Sequence, residues 1–74
     1  MPRYNIIGEM KADLSFNRKE VKYDEEHLKF AKKTKNSTRI REAEDRIIAR
    51  QAVICYLENA LSNFYKAINE NKGE

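Results

Sequence analysis

Few residues in this chain could do chemistry, and they are scattered. It has one cysteine, Cys55, and one histidine, His27. A thiol becomes a nucleophile when a base or positive charge holds it as thiolate. Cys55 sits among apolar residues with no base nearby, so the sequence predicts a buried, inert thiol. His27 shares a helical face with Tyr23, Phe30 and Ala31, where a hydrogen-bonded structural histidine is expected. A structural zinc site takes four nitrogen or sulfur ligands, which one Cys and one His cannot furnish. The carboxylates Glu42, Glu44 and Asp45 read as a solvated helix face, and no glycine-rich phosphate loop is present. The expectation is a protein that is not an enzyme and takes no cofactor and no metal.

Charge offers a second kind of chemistry. Lys29, Lys32, Lys33, Lys35, Arg39 and Arg41 form the densest basic stretch, with no acid between Glu26 and Glu42. Lysines beside a helix N-terminus can hold phosphates. They can equally be a solvated helix end favoured by the helix dipole, and the sequence leans slightly to that reading. The net charge of +3 and the pI near 9.1 permit nucleic-acid binding without demanding it. Only Phe30 lies inside the cluster, which argues against stacking on single-stranded bases.

The elements that must carry these residues follow from apolar spacing. Ile40, Ile47, Ile54, Leu61 and Ile68 fall one heptad apart, with Ala43, Arg50, Leu57 and Phe64 between them. That pattern predicts a helix over residues 38–69, roughly 45–50 Å long at 1.5 Å per residue. Such a stripe is long for a chain of 74 residues to bury by itself. A homodimer through the helices is therefore expected, with Phe64 in the core. Glu42 and Arg46 are spaced as an i,i+4 pair on the exposed side. Arg50 interrupts the apolar row, and a buried unpaired guanidinium is costly. Antiparallel association about Ile54 would set Arg50 against Glu58 of a second subunit; the alternative is an arginine at the seam edge that reaches water. Tyr56 and Tyr65 flank the seam and are candidate anchors for a different protein partner.

Residues 17–35 predict an amphipathic helix, with Asn17 or Asp24 as its start and Phe30 pointing inward. Lys35, Asn36, Ser37 and Thr38 form the expected turn, any of the last three able to cap the following helix. Residues 1–16 read as an extended arm or short strand, because Ala12, Leu14 and Phe16 alternate with Asp13 and Ser15. Residues 70–74 are polar and expected to fray.

The fold class expected is thus mostly α: a helical hairpin with a long heptad-patterned C-terminal helix, a short N-terminal strand or arm, and dimerisation through the helices. Charged residues make up 36% of the chain. The most apolar run, Ile47 to Leu57, contains Arg50 and Gln51 and is too short to span a bilayer, so no membrane partner is expected. Met1 to Met10 has no apolar run of signal-peptide length, and a lone thiol suits a reducing cytoplasm. Frequent Lys, Asn and Ile fit an AT-rich coding origin such as a phage or mobile element. The leading functional expectation is a small binding module acting by protein–protein contact: an adaptor, inhibitor or assembly factor. The alternative is a small homodimeric DNA-binding regulator using the basic stretch.

Overall fold

The computed structural model describes residues 5–72 of the chain. They form two helices, α1 (Ile6–Lys33, 28 residues) and α2 (Ser37–Lys72, 36 residues), folded back on each other as a hairpin.

The helix starts far earlier than residue 17, and residues 6–16, expected in an extended arm or short strand, are helix. Asn5 is the N-cap: its side-chain oxygen accepts from the Gly8 N–H at 2.8 Å. Gly8 sits directly under that cap, where a Cβ would come within 2.8 Å of the Asn5 side-chain nitrogen. Asn17 caps nothing; inside α1, its side-chain amide donates to the Asp13 carbonyl at 2.8 Å. The physical reason lies in spacing. Ile7, Met10, Leu14, Asn17, Val21, Asp24, Leu28 and Ala31 recur at alternating intervals of three and four, and all are buried or half-buried. This outcompetes the short alternation at Ala12, Leu14 and Phe16, of which only Leu14 turns inward. The part of the arm at residues 1–4 lies outside the described residues.

The turn is tight and uses one residue twice. α1 ends in a Schellman arrangement: the Lys35 N–H donates to the Lys32 carbonyl at 3.2 Å, and the Asn36 N–H to the Ala31 carbonyl at 3.1 Å. Lys35 sits at φ 54°, a left-handed conformation that glycine adopts without strain. Asn36 then caps α2, its side-chain oxygen accepting from the Arg39 N–H at 3.2 Å and its carbonyl from the Ile40 N–H at 3.0 Å. Of the three candidate caps, the structure selects Asn36. α2 continues past Asn69 to Lys72, beyond the expected start of fraying.

The core is small. Leu14, Leu57 and Leu61 cluster with Ile7, Met10 and Ile54 packed against them. Ala31 and Ala43 are buried on either side of the turn, where small side chains let the two backbones approach. The seam residues Ile40, Ile47, Arg50, Ile54 and Ile68 are half-buried, and Leu57 and Leu61 buried, within a single chain. A longer α1 covers the stripe that the sequence alone left in want of a partner. Phe64, expected in the core, remains exposed.

Two stability effects are expected, both read from thermal or urea unfolding followed by helix content. Leu61→Ala removes buried area from the one leucine cluster and should lower stability by about 2–4 kcal/mol. Lys35→Gly relieves the left-handed strain at the turn and should raise stability by about 0.5–1 kcal/mol. A neutral or destabilising glycine would contradict the turn geometry.

Candidate interaction surface

The least expected residue of the inner seam is Asp24, only 4% exposed in the middle of α1. Its two carboxylate oxygens are separately satisfied from α2: Arg46 Nε donates to Oδ1 at 3.3 Å, and Arg50 Nε to Oδ2 at 2.9 Å. The second guanidinium also lies 3.8 Å from Glu20. Among the described residues, no buried side-chain polar atom is left without a partner. Arg50 thus finds its acid in its own chain. Glu58, its expected partner across a dimer, is bound instead by Arg18 at 2.8 Å. Arg46 turns toward Asp24, and no Glu42–Arg46 ion pair forms among the described residues.

These contacts divide the hairpin into two unlike sides. On one side, polar groups bridge the helices: Arg18 reaches Glu58, and Lys11 Nζ sits 5.6 Å from the ring centroid of Tyr65. On the other, α1 presents Phe16, Tyr23 and Phe30, one heptad apart and all exposed. Arg50 joins this side, its guanidinium carbon 6.0 Å from the Phe16 ring centroid. His27 packs against Tyr23 with ring centroids 4.4 Å apart and planes tilted by 50°. A recess near the turn is walled by His27 and Phe30 from α1 and by Arg39, Glu42 and Arg46 from α2. A second, centred on the arginine pair, is lined by Asn17, Arg46, Ala49, Arg50 and Val53. Tyr56, one turn beyond Val53, is 71% exposed.

Several expected placements change. His27 and Phe30 are exposed rather than inward, because the register that buries Leu14, Asp24 and Ala31 rotates them to the flank. Cys55 is also exposed, and the Asn59 amide donates to its Sγ at 3.7 Å. Lys29, Lys32, Lys33, Lys35, Arg39 and Arg41 are exposed around the turn, so the hairpin gathers the whole basic stretch at one end. Among the described residues there is no cluster of side chains suited to a metal ion, and no helix long and apolar enough to cross a membrane.

Comparison of the chain with protein-family models, with curated proteins and with solved structures finds no match. The residues alone must carry the functional reading. Sequence reasoning missed Asp24, Glu20 and Arg18, and it missed Phe16 as an exposed aromatic. The seven-residue recurrence of Phe16, Tyr23 and Phe30 was the available signal.

The Asp24 cluster has an asymmetric energetics. Arg46 and Arg50 side chains are 47% and 28% exposed, whereas that of Asp24 is 5% exposed. The arginines can turn to water; the carboxylate cannot. Replacing both arginines with methionine strands a buried carboxylate and should cost about 3 kcal/mol or more. Adding Asp24→Leu should recover most of that loss in the same unfolding assay. A triple variant no more stable than the double would refute this account of the cluster.

Proposed function

We propose that this chain is a small helical binding module that acts by protein–protein contact, as a homodimer, without catalytic chemistry of its own. The observation that carries this reading is the exposed aromatic side: Phe16, Tyr23 and Phe30 on α1, with Val53 and Tyr56 on α2. Large exposed apolar residues grouped beside arginines are the composition of interface anchors. The arginines here are already held in place by Asp24, so less freedom is lost when a partner covers them. An adaptor, inhibitor or assembly factor working in a reducing cytoplasm fits this surface and the lone thiol. A phage or mobile-element origin fits the composition.

One observation favours a second reading, a dimeric DNA-binding regulator. The six cations of the basic stretch are exposed together at the turn, and none is in an ion pair among the described residues. Phosphate contacts by this end would give an affinity that falls steeply with salt.

Titrating a labelled mixed-sequence duplex at low and moderate salt separates the two. The protein-binding reading expects weak duplex binding that is essentially gone at moderate salt, with Lys32→Ala and Lys33→Ala leaving helix content and self-association unchanged. Submicromolar duplex binding that survives moderate salt, and falls about tenfold or more in the double lysine variant, would transfer the function to the basic end.

A further inference from the structure

The aromatic side of the hairpin has an occupant that the chain itself can supply. We infer that a second copy of this chain packs on that side, with the two hairpins face to face and antiparallel, making a four-helix assembly. This rests on the protein-binding reading above and moves the dimer contact off the Ile40–Ile68 seam, which α1 already fills.

The first argument is area. The chain exposes 6337 Å², whereas a compact monomer of 8.8 kDa exposes roughly 4,800 Å². The difference, about 1,500 Å², exceeds the roughly 800 Å² that each partner contributes to a standard interface. The shape locates it: the hairpin measures 59 × 25 × 13 Å, a single layer of helices. Stable domains bury apolar faces between layers, and one broad side of this layer exposes Phe16, Tyr23, Phe30, Val53 and Tyr56 between its charged residues.

The second argument is which partner suits that side. Among the described residues, the large apolar side chains buried in the hairpin's own core are Leu14, Leu57 and Leu61, so a single copy is marginal. A surface that completes the fold needs a partner present whenever the chain is made, and another copy meets that condition. The residues are also self-complementary. Ala49, Val53, Tyr56 and Ala60 run small, large, large, small along the exposed flank of α2, so the row reads alike in both directions. A two-fold axis level with Ile54 and Cys55 sets Ala49 against the partner's Ala60 and Val53 against the partner's Tyr56. The cross-helix pairs Arg18–Glu58 and Asp24–Arg50 fix the height of α1 relative to α2. With that register, the same axis passes within a turn of the midpoint between Phe16 and Tyr23. It also brings Arg39 level with the partner's Glu70, a complementary charge pair. Such an isologous contact closes on itself and leaves no open surface for fibres.

Sedimentation equilibrium of the full chain tests this. A two-chain particle is expected at tens of micromolar, with helix content that falls on dilution. Val53→Asp with Tyr56→Asp should weaken self-association at least tenfold, whereas Ile48→Asp, on the opposite side, should change it less than twofold. Should the aspartate variant lose its helices altogether, a second measurement decides. With Cys55→Ser, Ala49→Cys and Ala60→Cys combined, mild oxidation should link two chains in the native state, and Ala49→Cys with Cys55→Ser alone should not. A monomeric wild type with full helix content overturns the proposal. So does a dimer lost on Ile48→Asp but kept in the Val53 and Tyr56 variant, or the absence of cross-linked chains. A monomer would also remove the homodimer from the reading above, whereas the protein-contact part of that reading falls separately, to duplex binding that survives moderate salt.

Discussion

Removing a carboxylate from water between two packed helices is unfavourable unless donors meet it in place, and at Asp24 two guanidinium groups do so. Apolar contacts slide with little change in energy, but a carboxylate held at both oxygens does not. Moving α2 by one helical turn would break at least one of the two arginine contacts to Asp24, so this cluster favours one register of the hairpin. Everything else follows from that register: which leucines meet, which aromatics are turned outward, and which basic residues gather at the turn. A polar group in a helical seam commonly trades stability for a unique alignment, and the small apolar core here leaves alignment to be settled by such a device.

That same cluster explains why part of the fold was legible and part was not. The α2 heptads are written in isoleucine and leucine, and the helix was readable almost to its ends. The α1 repeat is interrupted by Asn17 and Asp24 at two inner positions. A hydrophobic pattern broken by polar residues looks like a short helix preceded by something else. Asp24 resembles a cap when read locally, because nothing in its neighbourhood announces arginines more than twenty residues away. Arg50 posed the complementary puzzle: its need for an acid was plain, but with Asp24 misread, Glu58 was the available candidate. Misplacing one buried carboxylate therefore shortened a helix, lengthened the expected arm, and assigned to a second subunit an ion pair that Arg50 makes within its own chain. At the candidate surface, the basic stretch was found by composition alone. His27 and Phe30 were placed on the right helix but the wrong side, since their orientation depends on the register that Asp24 sets.

The hairpin's two sides differ in how they treat long side chains. On the polar side, Arg18 and Lys11 reach from α1 to Glu58 and Tyr65 of α2. On the other, the guanidinium groups turn inward to Asp24, leaving aromatic rings uncovered beside them. The same residue types thus bridge the helices on one side and turn into the seam on the other, and the difference is the inward carboxylate.

The tight turn has a consequence for time rather than for structure. Thr34, Lys35 and Asn36 are the entire connection between the helices, so the cross-helix contacts nest around it, from the turn out to the leucine cluster. A topology of nested local contacts closes small loops first and larger ones afterwards. The chain is built to zip from the turn outward, with the Asp24 cluster as the first checkpoint at which a misaligned pairing is rejected. The leucine cluster farther out then closes on helices already in step.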